Sequence, residues 1–399
     1  MTTQSAPAAD IPADASAGIP ADASAWVEID LDAIRDNVRT LKAGTAAELM
    51  AVVKADAYGH GLIPSARAAL AGGATWLGVA QLAEALSLRQ AGVTAPLLTW
   101  LFPPSSDLTV ALRADVDLSV SAPWTLSNVV AAARETGRPA RVHLKVDTGL
   151  GRGGALGAGW SELLPLVAAA QAEQAVEVVG IWSHFAFADA PQHPAVRAQQ
   201  VTFVDAVDEA ARHGIRPHYR HLANSAATLT SPSAHFDLAR PGLAVYGLSP
   251  VPDIGGPEHF GLREAMRLTA RLTLVKEAPP GQGVSYAHQY TTTTHTRLGL
   301  VPLGYADGIP RSASGAGPVQ VGGRRYAVAG RVCMDQFMID LGPGSPAVAG
   351  DEVLVLGREA DGEPSAQDWA VAAGTINYHI VTRMAPRLPR IHHGEGSEQ

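Results

Sequence analysis

The chain has 399 residues, a length that predicts two domains and leaves room for one of them to be a large barrel. Apolar residues make up 47% and charged residues 17%, a balance that provides a sizeable core and excludes a globally disordered chain. With 30 basic and 38 acidic residues the net charge is -8, so the surface offers nucleic-acid phosphates no overall attraction.

Two further features bear on the cellular compartment. Cys333 is the single cysteine, so no intrachain disulfide points to an oxidising environment. No uncharged apolar run of about 18 residues predicts a membrane span, and the N-terminus lacks the basic and apolar regions of a secretory signal. We therefore expect a cytoplasmic enzyme with no nucleic-acid or membrane partner, and we predict no metal site.

Residues 1–25 are predicted to be a disordered N-terminal tail. They are rich in Ala, Ser, Pro and Asp and contain IPADASA twice, at 11–17 and 19–25. Such a composition buries too little apolar surface to offset the entropy lost on ordering, so we assign the tail no function.

Residues 26–262 alternate short apolar runs with longer amphipathic stretches. The apolar runs are LMAVVK (49–54), TWLGVA (75–80), PLLTWL (96–101), VDLSVS (116–121), RVHLKV (141–146), VEVVGIW (176–182), YRHLA (219–223) and FDLAR (236–240). The stretches with apolar residues at three- and four-residue spacing are 82–92, 123–136, 159–174 and 195–213. Eight buried strands alternating with helices predict a parallel (β/α)8 barrel of the TIM type.

The pattern changes after about residue 262, and residues 263–399 are predicted to form a β-rich C-terminal domain. Short β-rich runs are separated by Gly and Pro, as in PPGQG and SGAGP. This pattern is typical of a mostly antiparallel β fold. A helical pattern around 364–373 precedes the segment TINYHIVTRMAPRLPR.

The first predicted barrel strand ends in Lys54, which is followed by ADAYGHG. Active sites of barrel enzymes lie at the C-terminal ends of the strands, so this amine is expected in the barrel mouth. Desolvation there lowers the pKa of a lysine and frees its amine as a nucleophile. The alternative is a lysine that only extends its charge from a strand end to solvent, and Lys54 alone does not decide between the two.

The later strand ends carry polar or small residues in the segments Lys145–Arg152, Ser183–His184, His221–Ser225 and Arg240–Leu243. Barrels commonly bind phosphate with the loops that follow their last two strands. A reactive lysine and a phosphate site at one mouth together indicate a phosphorylated cofactor.

Nine segments, in the same order, resemble the sequence blocks of alanine racemases. AVVKADAYGHG (51–61) is similar to that family's pyridoxal-phosphate attachment motif. The others are HLKVDTGLGRGG, WSHFAFAD, HLANSA, RPGLAVYG, VSY, GYADGIPR, RVCMDQ and TINY. The resemblance extends from Trp26 to Arg390 and implies a barrel-type isomerase that uses pyridoxal 5'-phosphate (PLP) and acts as a homodimer.

The resemblance implies two catalytic bases, Lys54, which also carries the cofactor covalently, and Tyr286, which enters from the partner subunit. The implied cofactor-binding residues are Lys54, Tyr58, Arg152, His184, Ser225, Arg240, Gly242, Leu243 and Tyr378. Within this set Arg240 would hydrogen-bond the pyridine nitrogen, and the amides of Gly242 and Leu243 would help to hold the phosphate.

Substrate contacts are implied for Arg152 and for the backbone amide of Met334 from the partner, both to the substrate carboxylate. Lys145 is a candidate for carbamylation and for pairing with Arg152, and His221 would support Arg240. The other implied residues are Asn224 and Asp335 around the site, and Asp189, Tyr305, Arg311 and Arg331 along the substrate corridor.

These residue types suit racemisation, in which a proton leaves one face of the α-carbon and returns on the other. Two bases on opposite faces achieve this without rotating the substrate. Arginine stays protonated, so Arg240 would discourage protonation of the pyridine nitrogen and weaken the cofactor as an electron sink. The expected consequence is fewer side reactions such as transamination.

Three alternatives remain open from the sequence. One is a racemase of broader specificity that accepts serine or other amino acids, because one methylene changes binding by only about 1–3 kcal/mol. Another is a PLP-dependent amino-acid decarboxylase of the same fold, which Arg240 and Tyr286 argue against. A third is a non-catalytic PLP carrier, which the long C-terminal domain argues against. The leading interpretation is an alanine racemase that supplies D-alanine for peptidoglycan synthesis.

Overall fold

The structure, a computed structural model, describes residues 20 and 22–394. The prediction of a disordered tail at 1–25 falls mostly on residues outside this range, although Ala25 begins a strand. Within the described part of the chain, no helix is long and apolar enough to cross a membrane. The same residues contain no group of three or more His, Cys, Asp or Glu side chains arranged to hold a metal ion.

The first strand, β1 (Ala25–Asp30), precedes the barrel in the chain. The barrel strands are β2 (Glu48–Val52), β3 (Trp76–Gln81), β4 (Leu97–Leu101), β5 (Asp117–Val120), β6 (Ala140–Lys145), β7 (Val176–Trp182), β8 (Tyr219–His221) and β9 (Leu238–Ala239). They follow the parallel order β8-β7-β6-β5-β4-β3-β2-β9. A hydrogen bond of 2.9 Å from the Arg240 amide to the Ala223 carbonyl joins the segments that follow β8 and β9. The predicted (β/α)8 barrel is therefore confirmed.

Burial on both faces explains why the barrel strands are continuous apolar runs. In β2 the adjacent residues Leu49 and Met50 are both buried, and in β4 Leu97 and Leu98 are as well, although neighbours in a strand point to opposite faces. One face packs inside the barrel and the other packs against the surrounding helices.

The helices around the barrel are α1 (Leu31–Ala43), α2 (Lys54–Gly59), α3 (Leu62–Ala71), α4 (Leu82–Gln90), α5 (Thr109–Arg113), α6 (Pro123–Thr136), α7 (Ala158–Ala172), α8 (Pro194–Arg212) and α9 (Ser225–Thr230). Local sequence explains several of their starts. The Asp30 carboxylate accepts from the Ala33 amide at 2.9 Å and caps α1. Proline at the first position of α6 and α8 has no amide hydrogen to leave unpaired there.

The second unit contains β10 (Met266–Arg271), β11 (Leu274–Ala278), β12 (Gly283–Val284), β13 (Tyr290–Thr291), β14 (Thr296–Val301), β15 (Pro318–Val321), β16 (Arg324–Ala327), β17 (Phe337–Gly342), β18 (Glu352–Leu356) and β19 (Arg390–His393). Its helices are α10 (Ala366–Ala373) and α11 (Asn377–Val381). The sheets have the orders β16-β15-β18-β10-β1-β19, β11-β14-β17 and β12-β13. Their pairings are antiparallel except for β1 with β19, so the predicted mostly antiparallel domain is confirmed.

The boundary predicted at residue 26 needs correction, because β1 is part of the second unit. It pairs antiparallel with β10 and parallel with β19, between Val27–Arg390 and Asp30–His393. The sequence pattern around AWVEID predicts a strand but does not indicate which sheet the strand belongs to. Its partners lie more than 230 residues away in the chain, and only the tertiary fold brings them together.

Candidate active site

The segment after Lys54 forms a single left-handed helical turn. Ala55, Asp56, Ala57 and Tyr58 all have φ between 53° and 55°, although none of them is glycine. This conformation costs L-residues about 1–2 kcal/mol each, so the surrounding structure must offset it. Strain of this kind is found mainly at functional sites, where it orients particular side chains.

Two carboxylates hold this turn in place, one at its start and one through the first residue of α3. Glu84 Oε1 accepts from the Ala55 amide at 2.6 Å, and Asp56 Oδ1 accepts from the Leu62 amide at 2.8 Å. Glu84 belongs to the capping box of α4, a role that its spacing after Gln81 indicates. Glu84 also lies close enough to Lys54 to raise its pKa. The sequence analysis did not predict this second role.

The last strand of the chain holds the other end of the turn. Arg390 Nε donates to the Gly59 carbonyl at 3.0 Å, and His392 Nε2 lies 2.8 Å from the His60 carbonyl. Both residues belong to β19, so the second unit braces the barrel loop that carries Lys54. Sequence patterns gave no sign of this contact, because more than 330 residues separate the two segments.

Cationic side chains converge around Lys54 in the barrel mouth. Burial lowers the pKa of Lys54 and the guanidinium of Arg152 lowers it further, whereas Glu84 raises it. Burial, Arg152 and Arg240 lower the pKa of Lys145 to about 8. The concentrated positive charge favours anionic ligands, and it also favours the neutral, nucleophilic form of each lysine amine.

Trp182, at the end of β7, packs against three of the polar residues in the mouth. Lys145 Nζ lies 4.3 Å from the ring centroid, and the Arg240 guanidinium carbon lies 4.9 Å from it. The His221 ring is stacked on the indole at 5.7 Å and 2°. The indole N–H donates to Ser119 Oγ at 3.0 Å, which fixes the ring. Sequence analysis did not single out this tryptophan.

Arg240 is almost fully buried, and its hydrogen-bond partners are all neutral. Nη2 donates to the Ser183 carbonyl at 2.8 Å and the Leu222 carbonyl at 3.3 Å, and it lies 3.4 Å from His184 Nδ1. Nη1 lies 3.3 Å from His221 Nδ1. Burial lowers the pKa of Arg240 to about 9. A buried guanidinium with these partners suits an acceptor supplied by a ligand.

The Arg152 loop is shaped by one carboxylate at the end of β6. Asp147 Oδ1 and Oδ2 accept from the backbone amides of Gly149, Leu150, Gly151 and Arg152 at 2.9–3.2 Å. These hydrogen bonds hold the pKa of Asp147 below its ordinary value. The Arg152 side chain stands exposed at the mouth, close enough to lower the pKa of Lys54 and Lys145.

Tyr58 and Gly242 are in close contact just after the end of β9. A Cβ built on Gly242 would lie 2.3 Å from Tyr58 Oη, so only glycine fits there. Ser225 Oγ accepts from the Gly242 amide at 2.8 Å. Leu243 begins a short 3-10 helix that continues to Tyr246. The result is a small cradle of hydroxyl and backbone groups.

Tyr378, on α11 of the second unit, lies beside Tyr58 with ring centroids 6.2 Å apart. Desolvation, together with the nearby Asp189 carboxylate, raises the pKa of Tyr378 to about 12. Burial also raises the pKa of Tyr58. Both phenols therefore keep their protons at neutral pH and remain hydrogen-bond donors. Asn224 caps α9 next to them, accepting from the Ala227 amide at 3.1 Å.

Tyr286, Met334 and Tyr305 lie on the second unit and are 69%, 54% and 39% exposed. Backbone and side-chain hydrogen bonds tie their loops together: Ser285 Oγ donates to the Arg331 carbonyl at 2.8 Å, and the Ala306 amide donates to the Met334 carbonyl at 2.9 Å. No hydrogen bond, ion pair or ring contact among the described residues connects these three side chains to Lys54. The fold therefore gathers the predicted site residues into two separate groups.

The remaining predicted residues belong to the second group or to the rim of the first. Asp335 accepts from Arg387 Nη2 at 2.7 Å, and Arg387 also pairs with Asp307 at 2.6 Å. Arg311 is exposed, and the exposed Asp189 lies close enough to Tyr378 to raise its pKa.

Comparisons with known proteins identify relatives of both units. The profile described as "Alanine racemase, N-terminal domain" matches residues 29–250, and "Alanine racemase, C-terminal domain" matches residues 265–392. An alanine racemase of Frankia casuarinae is 62% identical over 364 residues, covering 91% of this chain and 94% of the relative. One of Streptomyces coelicolor is 55% identical over 374 residues, covering 92% and 95%.

Solved structures are similar over the same extent. The alanine racemase from D-cycloserine-producing Streptomyces lavendulae has a TM-score of 0.92 and 54% identity, covering 94% of this chain and 98% of that one. The Bacillus anthracis alanine racemase with bound L-Ala-P has a TM-score of 0.84 and 37% identity, covering 94% and 97%. The likeness in sequence and in structure includes both the barrel and the β-rich unit.

Proposed function

Because the chain belongs to the alanine racemase family, we propose that it interconverts L-alanine and D-alanine with Lys54 and Tyr286 as opposing bases. It is an isomerase that depends on PLP. The observation that carries the residue assignment is the cationic mouth around Lys54, with its lowered pKa and adjoining hydroxyl cradle. The D-alanine formed would supply peptidoglycan synthesis.

The residues present fit PLP in charge and shape. Tyr58, Ser225, Tyr378 and the Gly242 and Leu243 amides form the neutral donor cradle that a phosphate requires, and Arg240 offers donors to the ring nitrogen. When bound, PLP supplies an electron sink that makes the substrate α-hydrogen acidic. Lys54 would hold it covalently through its amine, whose pKa burial and Arg152 lower.

The cradle makes a specific prediction for Gly242→Ala. The added methyl would meet Tyr58 Oη at 2.3 Å and displace that phenol, so we expect PLP affinity to fall about tenfold. Titration of the apoenzyme with PLP, followed by fluorescence, measures the change. Gly159→Ala is the matched control, since a Cβ there meets nothing within 4 Å. Equal affinities for both variants would contradict the cradle.

Lys54 and Tyr286 divide the proton transfer between two faces. Lys54 stands in the mouth of its own barrel, where its lowered pKa suits a base that accepts a proton near neutral pH. Tyr286 is exposed on the second unit and has no contact with Lys54 of the same chain. We therefore infer that Tyr286 serves the site of a partner subunit in a homodimer, where His184 would orient it.

The carboxylate of the substrate would be bound from both subunits. Arg152 stands at the mouth of the barrel, and the Met334 amide would come from the partner together with the corridor residues Tyr305, Arg311 and Arg331. Asp335, paired with Arg387, would keep the Met334 loop in position.

Lys145 is assigned a carbamylated state that pairs with Arg152. Its pKa of about 8 leaves a useful fraction of neutral amine, which attacks carbon dioxide and releases a proton to solvent. The resulting carbamate is an anion, and it would offset the cluster of positive charge around Arg152 and Arg240.

A decarboxylase of the same fold is less well supported, because that chemistry benefits from an acidic partner that protonates the pyridine nitrogen. Arg240 occupies this position and is surrounded by carbonyl oxygens and histidine nitrogens. We also propose a cytoplasmic location. Cys333 is the single cysteine and cannot form an intrachain disulfide, so the fold does not depend on an oxidising compartment.

The assay that tests the proposed function combines cofactor and reaction. The purified protein is expected to absorb visible light through bound PLP and to convert L-alanine into D-alanine on a chiral column. Formation of D-alanine only after PLP is restored to stripped apoenzyme would support the assignment. A protein that binds PLP yet forms no D-alanine would contradict it and favour L-serine as the next substrate to test.

A further inference from the structure

We propose that His143 and Asp117 are positioning residues for the reaction, because with His221 they form a hydrogen-bond relay of fixed direction that aims Arg240 at its ligand. The inference rests on the proposed function, in which Arg240 faces the pyridine nitrogen of PLP. It adds two residues that lie deep in the barrel and touch neither substrate nor cofactor.

The relay is continuous and buried. Arg240 Nη1 lies 3.3 Å from His221 Nδ1, and His221 Nε2 lies 2.8 Å from His143 Nδ1. His143 Nε2 lies 3.2 Å from Asp117 Oδ2. The two histidines are completely inaccessible to solvent, and Arg240 and Asp117 are 5% and 2% exposed.

The chemistry of the two ends fixes the direction of every bond. A guanidinium only donates, so His221 must accept at Nδ1 and carry its hydrogen on Nε2. That hydrogen points at His143 Nδ1, which must accept, leaving His143 with its hydrogen on Nε2 facing Asp117. A carboxylate only accepts, so the arrangement is consistent at each step. A second proton on either imidazole would place two hydrogens between the same pair of atoms.

The packing leaves the relay little freedom to rearrange. Gly180 of β7 faces both rings, and a Cβ there would lie 2.3 Å from His143 Nδ1 and 3.0 Å from His221 Nε2. The Trp76 ring meets His143 edge-on at 5.4 Å, and Trp182 is stacked on His221. Any side chain at position 180 would therefore separate the two histidines.

The relay connects opposite ends of the barrel. Asp117 is the first residue of β5, at the N-terminal face, whereas Arg240 follows β9 at the mouth. The other partner of Asp117 is Arg141, whose Nε lies 3.0 Å away and whose side chain is 43% exposed. Residues at the N-terminal face of a barrel usually contribute to stability alone. Asp117 differs because the hydrogen bonds of the relay connect it to Arg240 in the active site.

The direction of the relay determines which N–H donors of Arg240 remain free to bind a ligand. Nη2 is engaged by carbonyl oxygens and His184, and one Nη1 hydrogen is taken by His221. Nε and the second Nη1 hydrogen have no acceptor among the residues that the structure describes. If the relay reversed, His221 would present a hydrogen to Arg240 and push these donors out of line.

The test compares Asp117→Leu with Arg141→Met in the holoenzyme. Leucine removes the terminal acceptor and frees both histidines to change tautomer, whereas Arg141→Met removes the surface pair and leaves the relay intact. Nitrogen-15 NMR of histidine-labelled protein reports the tautomers directly. We expect His143 and His221 to carry hydrogen on Nε2 in the unaltered protein and in Arg141→Met, and to show mixed tautomers in Asp117→Leu.

A second readout is the number of transamination events per racemisation event, measured by mass spectrometry of the cofactor. Asp117→Leu is expected to raise this ratio about tenfold, in the direction of Arg240→Glu, which acts on the ring nitrogen directly. Single tautomers in Asp117→Leu, or an unchanged ratio despite mixed tautomers, would overturn the relay. An unchanged ratio in Arg240→Glu would instead overturn the proposed contact of Arg240 with the ring nitrogen.

Asp117→Asn covers the case in which leucine impairs folding. Its carbonyl can still accept from His143 while its amide cannot be charged, so it keeps the shape of the relay and removes the anion. We expect a raised ratio in this variant, smaller than that of Asp117→Leu where the leucine variant folds. A ratio equal to that of the unaltered protein in Asp117→Asn would contradict the proposal.

Discussion

Lys54→Ala is expected to lower the rate of alanine racemisation by a factor of about 10³ or more. The variant loses the covalent attachment of PLP and the base on one face, both of which depend on the same amine. Chiral chromatography of the product with excess PLP present measures the loss. Lys145→Ala is the matched control, because it removes a second amine from the same cationic mouth.

The control separates a specific role from a general effect of charge. Lys145→Ala is expected to retain far more activity, since Lys145 acts on the site only through Arg152. Equal losses in the two variants would mean that the mouth requires positive charge rather than the Lys54 amine. That result would contradict the assignment of Lys54.

Tyr286→Phe is expected to slow exchange of the L-alanine α-hydrogen with solvent deuterium by about 10²–10⁴, the usual contribution of a general base. Exchange from D-alanine should change far less, because Lys54 serves that face. Proton NMR of each enantiomer in deuterated buffer gives the two rates. Tyr305→Phe, which alters another exposed tyrosine of the same surface, should leave both rates nearly unchanged. Equal slowing of both enantiomers by Tyr286→Phe would contradict the two-base assignment.

The two variants together test whether each site is shared between subunits. A heterodimer of one Lys54→Ala subunit and one Tyr286→Phe subunit would contain one site with both bases and one site with neither. We expect about half the activity of the unaltered dimer, although each parent variant is nearly inactive. Doubly tagged, co-expressed heterodimers can be purified for this measurement. An inactive heterodimer would mean that Lys54 and Tyr286 act within one chain.

The order of apolar residues was enough to predict the barrel. Each strand is buried on two faces and each helix on one, and these two kinds of burial give different spacings of apolar residues along the chain. The sequence also indicated which strand ends bear Lys54, Lys145, His184 and Arg240, since parallel strands place those ends at the same mouth. The β-rich character of the second unit was equally visible in its short runs and turns.

The contacts between distant segments could not be predicted in this way and became visible in the folded chain. β1 joins the second sheet, and Arg390 and His392 brace the turn after Lys54, because pairing across more than 230 residues follows from the packing of whole units. His143 and Asp117 looked like ordinary strand residues, since alternation shows which face a side chain takes but not which partner it meets. The physical reason is that periodicity records burial, whereas hydrogen bonds between strands depend on register, on the room left by residues such as Gly180, and on the direction of each donor.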